Sequence, residues 1–127
     1  MGQREVFTAF ALVLAAVPAV AASAALIEMR TDVGQLVFNG PVQAHAAADQ
    51  HSGNYTVWLT LPEEQSLELA GLTGASIGHP LEVWICGERR VVALVRERIT
   101  DGYLVIDGLP RRIATELAGQ LVRGECS

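Results

Sequence analysis

The chain contains no lysine. All nine of its basic residues are arginine, and fourteen acidic residues bring the net charge to −5. A mildly acidic chain lacks the broad basic surface of a dedicated nucleic-acid binder, so no nucleic-acid partner is expected. The missing lysine itself is read as the compositional habit of a GC-rich genome. Cysteine is scarce as well. Cys86 and Cys126 are the two present, and neither stands where a lipid could modify a mature N-terminus. There is no internal repeat, and 127 residues suffice for one domain but not for two.

Charge is also missing from Val6 to Ile27. Arg4 precedes this run, Val6 to Val20 is apolar, and small residues follow as Ala19-Val20-Ala21 and Ala22-Ser23-Ala24. That order of basic start, apolar middle and A-x-A end is the pattern of a secretory signal peptide. Residues 1–24 are therefore expected to be a signal peptide, with an uncleaved anchor as the alternative, because the run is just long enough to span a bilayer of ~30 Å. At most one N-terminal membrane segment is available, and the rest is expected to be exported, facing the periplasm. In an oxidising compartment Cys86 and Cys126 can bridge; two unpaired thiols remain the other reading, since spacing alone supplies no geometry.

After the leader, residues 25–41 read as a linker or irregular arm, punctuated by Gly34, Asn39-Gly40 and Pro41. The domain proper is expected over 42–127. Val42 to Ala48 reads as a strand. Tyr55 to Leu61 alternates, with Tyr55, Val57, Leu59 and Leu61 on one face and Thr56, Trp58 and Thr60 on the other. Pro62 to Ser76 is expected to be a helix, opened by Pro62 and by Glu63 and Glu64 at its positive end. Leu81 to Cys86 and Arg89 to Arg98 read as a hairpin turning at Gly87, and Tyr103 to Asp107 as a further strand. Pro110 to Arg123 is the clearest helix, with a stripe of Ile113, Ala114, Leu117, Ala118, Leu121 and Val122, stopped by Gly124. The fold class is α+β: a small two-layer sandwich with a mostly antiparallel sheet and two helices on one face.

Several segments from Tyr55 onward occur in a recognisable order. Leu61-Pro62-Glu63-Glu64 leads to Leu69-Ala70-Gly71-Leu72-Thr73, then to Ile77-Gly78-His79-Pro80-Leu81. Val83 to Gly87, Val91 to Ala93, Ile99 to Gly102, Val105 to Gly108 and Leu121 to Gly124 follow. This order and spacing resembles the head subdomain in the first periplasmic region of SecD, of the SecDF protein-export family, over about 70 residues with no evident gap. No single motif carries the likeness. Two departures stand out: Cys86-Gly87 where the family usually has Asp-Gly, and Ala93-Leu94 where it has Ala-Pro. The proton-coupling charges of SecD lie in transmembrane helices that this chain lacks, so that activity does not carry over. The resemblance implies a stand-alone binding module for translocating or unfolded polypeptide, or one docking on Sec translocon components, without catalysis and without a cofactor.

Other chemistry is thinly supported. Gly74-Ala75-Ser76-Ile77-Gly78 matches G-x-S-x-G, but here a helix ends and a strand begins, the reverse of a nucleophile elbow. A small hydrolase centred on Ser76 is thus a minor alternative. His45, Asp49 and His51 flank one loop but do not make up a supported ligand set, and no metal is expected. Trp58 and Trp84 fall opposite the Val57–Leu59 and Val83–Ile85 faces. Exposed there, they are the candidate binding residues for extended polypeptide or an apolar partner. The competing reading has the arm from Leu26 to Gly40 covering that face. A structural or self-associating domain, pairing through an open sheet edge, is the remaining alternative.

Overall fold

A computed structural model describes residues 25–126. The leader segment 1–24 lies outside the described residues. The elements run β1 (Ile27–Arg30), β2 (Gln35–Phe38), β3 (Gln43–Ala48), β4 (Tyr55–Thr60), α1 (Glu63–Gly74), β5 (Pro80–Ile85), β6 (Glu88–Leu94), β7 (Tyr103–Leu109) and α2 (Arg111–Arg123).

The α+β class stands, with two helices over antiparallel strands. The strands divide into two sheets rather than one: a four-stranded sheet in the order β2-β1-β5-β6 and a three-stranded sheet in the order β3-β4-β7. Helix α1 lies against β2, and α2 lies across β3 and β4. Each sheet therefore has its own helix, and one apolar core joins the two halves.

The expectation of a linker over 25–41 is corrected. Residues 27–38 form a hairpin whose first strand is interior to the four-stranded sheet, paired to β2 on one side and β5 on the other. The cause lies in Ile27-Glu28-Met29-Arg30. Ile27 and Met29 point into the core and are fully buried, while Glu28 and Arg30 point out. Period-two alternation puts one apolar face inward, and each such side chain contributes ~1.5–3 kcal/mol on burial. Gly34, read from sequence as punctuation, ends the turn of this hairpin, which Thr31 N–H to Gly34 C=O closes at 2.9 Å.

The helices form as the sequence requires. Pro62 and Pro110 stand immediately before their first residues, where a missing N–H costs nothing. Leu69, Ala70 and Thr73 are the buried residues of α1; Ala114, Leu117 and Leu121 are those of α2. Gly124 closes α2 in the left-handed conformation, φ 75°, and Val42 N–H bonds Leu121 C=O at 3.0 Å. No helix among the described residues is long and apolar enough to cross a membrane.

Candidate functional site

Strand β5 alternates strictly, with Leu81, Val83 and Ile85 buried and Glu82 and Trp84 outward. Its partner β6 sets Ala93 opposite Leu81 and Val91 opposite Val83. Strand β6 has a neighbour on one side only and forms an edge of its sheet. In the other sheet, β7 is likewise an edge. These two edges face a common apolar groove of ≈ 260 Å³, walled by Leu81, Val83, Val91 and Ala93 on one side and Leu104 and Ile106 on the other. Val95 and Ile99 belong to the connection that closes its end, and Arg96 and Glu97 are its charged rim.

That connection is held firmly. Val95 N–H bonds His79 C=O at 2.9 Å, and Gly78 N–H bonds Val95 C=O at 2.8 Å. The buried Thr73 hydroxyl donates to Leu69 C=O at 2.8 Å and accepts the Ile99 N–H at 2.9 Å. A polar residue inside the core thereby fixes the groove wall.

Apolar surface continues beyond the groove. Val92, Leu94, Tyr103 and Val105 are between 42% and 54% exposed. Strand β6 is therefore apolar on both faces from Val91 to Leu94, at an unprotected edge. Natural proteins usually blunt such an edge with charge, proline or a covering element. An edge of this kind can accept an extended chain through its main-chain groups, with adjoining pockets taking alternate side chains.

The two candidate tryptophans are half-buried and lie on different sheets. Trp58 pairs across strands with His45 and stacks on it, centroids 4.9 Å apart and 16° from parallel. On its other side it pairs with Val105, on the rim of the groove. Trp84 lies under the Arg30 guanidinium, 4.4 Å from the ring centroid, and its Nε1 donates to Glu82 at 2.9 Å. Arg30 also bonds Glu28 at 2.9 Å, which raises its already high pKa. The segment read from sequence as an arm thus covers Trp84, through a strand.

Ser76 is fully buried, and its hydroxyl is 2.8 Å from that of Thr31. His79 pairs instead with Asp32, Nδ1 to Oδ2 at 3.3 Å, on the surface. A buried hydroxyl bonded to threonine offers no nucleophile to a substrate, and the Ser76 hydrolase reading is withdrawn. Asp49 is occupied by its own loop, accepting from His51 N–H at 3.0 Å and Ser52 Oγ at 3.0 Å. These bonds hold its carboxyl below the usual range. His45 is stacked on Trp58, so it and Asp49 are engaged separately. Among the described residues, no three His, Cys, Asp or Glu side chains are grouped to hold a metal ion.

Cys86 and Cys126 form a disulfide, with Cα atoms 5.5 Å apart. Cys86 and Gly87 make the β5–β6 turn, both with positive φ, 52° and 83°, as a two-residue type I′ hairpin requires.

A structure of SecDF, described as a membrane component that enhances protein export, matches 68% of this chain at 27% identity with a TM-score of 0.57. A second SecDF structure, in a super-membrane-facing form, matches 65% of the chain at 31% identity with a TM-score of 0.56. This is a SecD-like domain. It spans 39% of the length of the first SecDF chain and 11% of the second. No protein-family model matches the sequence, and no curated protein matches it significantly. The SecD-like domain was recognisable in the sequence from the ordered segments after Tyr55. Its groove was not, because the walls come from separate sheets. The signal in hand was Val91-Val92-Ala93-Leu94-Val95, five uncharged apolar residues in a row.

Proposed function

We propose that this SecD-like domain is an exported, non-catalytic module that binds extended apolar polypeptide, by adding it as a strand along the β6 edge with alternate side chains in the groove. The observation that carries this reading is the juxtaposition of an edge strand, uncharged from Val91 to Leu94, with an apolar groove. The likeness to SecDF supports a link to protein export. The leader pattern of residues 1–24 supports a site of action across the membrane, in the periplasm. Trp58, with Val105 beside it, extends the same surface across the three-stranded sheet. Trp84 lies off it.

Docking on translocon components and pairing with a second copy would use the same edge. Fluorescence anisotropy with a reduced and alkylated, permanently unfolded protein tests the reading. Wild-type domain is compared with Ala93→Asp, which sets a charge in the groove at an exposed position. A charge at an apolar contact typically costs ~10-fold or more in affinity, which is the expected loss. Equal binding by the two proteins, or none by the wild type, would refute the proposal. Concentration-dependent size in place of polypeptide binding would instead favour self-association.

A further inference from the structure

We infer that the Cys86–Cys126 bridge is a redox-dependent tie that sets the groove, so that the polypeptide site is preorganised only after the domain meets an oxidising compartment. The inference rests on the reading of the groove given above.

The groove has one wall from each half of the molecule. Val83, Val91 and Ala93 belong to the four-stranded sheet; Leu104 and Ile106 belong to the three-stranded sheet. Its shape therefore depends on how the halves are held together. The disulfide runs from the β5–β6 turn to the tail after α2, and α2 packs on the three-stranded sheet. It is a covalent link between halves, closing a sequence separation of 40 residues.

Polar contacts do little at that end. A second cleft of ≈ 410 Å³ separates the hairpin from α2. Arg90 on the hairpin side pairs with Glu88, also on the hairpin, at 2.9 Å. Arg112 on the helix side approaches Glu116, also on the helix, at 3.7 Å. Both ion pairs stay within their own half. Arg90 Nε is buried and finds no acceptor across the cleft. The tail itself is held to α2 by Gln120 Nε2 donating to Cys126 C=O at 2.9 Å, so the bridge transmits to the helix.

Position 86 points the same way. A type I′ turn favours Asn, Asp or Gly, and a β-carbon at φ 52° is disfavoured. What cysteine adds there is the bond.

The bridge forms by exchange with a disulfide-bonded oxidant. The Cys126 thiolate attacks one sulfur of the oxidant and displaces the other as a thiolate. The Cys86 thiolate then attacks Cys126 Sγ, closes the bridge and releases the oxidant as a dithiol. The two protein thiols lose two protons and two electrons, and the oxidant takes them up. Before that exchange the apolar core, the chain and the Thr73–Ile99 bond at the groove's end hold the described residues together, and the two walls must be ordered by the ligand at a cost in affinity.

The test uses methyl-labelled protein in three forms: oxidised, reduced with a phosphine, and Cys86→Asn/Cys126→Ser. The last variant gives the turn a favoured residue, so that loss of the bridge is separated from turn strain. Nuclear Overhauser contacts from Val83 and Val91 to Ile106 read the groove, and the contact between Val83 and Val91 reads the sheet alone. The expected result is weakening of the cross-groove contacts in both bridge-free forms with the sheet contact intact, and ~10-fold weaker binding of the unfolded protein probe. Unchanged cross-groove contacts overturn the inference, and so does uniform loss of both kinds, which would make the bridge a source of global stability only. Weakened cross-groove contacts in a domain that binds no polypeptide in any form would leave the tie standing and remove the functional reading.

Discussion

The hydroxyls of Thr31 and Ser76 lie 2.8 Å apart, joining the β1–β2 turn to the segment that follows α1. Thr31 Oγ1 already faces the N–H groups of Val33 at 3.1 Å and Gly34 at 3.3 Å. The two hydroxyls share one hydrogen bond, in which either oxygen can be the donor. Ser76→Ala is expected to destabilise the domain by about 1 kcal/mol, the net worth of one such bond. In a domain of this size that lowers the melting temperature by ~4–8 °C. Hydrolysis of an activated ester should be the same for wild type and variant. A thermal melt beside an esterase assay checks both, and a loss of hydrolysis in the variant would reinstate Ser76 as a nucleophile.

Thr73 is a second buried hydroxyl, and its replacement separates shape from hydrogen bonding. Thr73→Val keeps the volume but leaves the Ile99 N–H without its acceptor. The expected cost is ~1–3 kcal/mol, the penalty for an orphaned donor. Thr73→Ser should recover most of it. Urea unfolding of the three proteins measures the difference. Because Ile99 borders the groove, polypeptide binding should weaken in the valine variant and return in the serine variant.

Acid acts on the β3–β4 loop through Asp49. The His51 N–H, and after it the Ser52 hydroxyl, favour the ionised carboxylate and lower its pKa in the folded state. A depressed carboxylate contributes stability that is present above the unfolded-state value, near pH 4, and is lost as pH falls through the folded-state value. The carboxyl carbon of Asp49, followed by NMR, should titrate below an ordinary aspartate. Asp49→Asn should leave the loop's stability flat across that acidic window.

Much of the domain was legible because its signals are local. The α2 stripe buried Ala114, Leu117 and Leu121 as its spacing required, although Val122 at the stripe's end remains exposed. The alternation from Tyr55 placed Val57 and Leu59 in the core and Trp58 outside, with a register shift near Thr56 that buries Thr56 as well and lets it bond Asp107. Strand β1 escaped notice for a physical reason. Four residues carry too little periodicity to register, and they adjoin the apolar leader. Its place in the sheet depends on β5, far along the chain, and no local pattern announces such a partner. The cover over Trp84 stood in the sequence as the competing reading of the Leu26–Gly40 arm, but not its form, since Arg30 reaches the ring only because β1 is a strand.

The interior position of β1 orders events in time. A chain that emerges N-terminus first presents Ile27 and Met29 long before Ile85 and Val83 exist to pair with them. Until then the β1–β2 hairpin has one bare edge and an uncovered apolar face, and an isolated hairpin is at best marginally stable in water. Pairing at such sequence separation also makes for slow closure. The four-stranded sheet is therefore completed late, when the β5–β6 hairpin arrives, and the earliest segment of the domain spends longest in need of a partner.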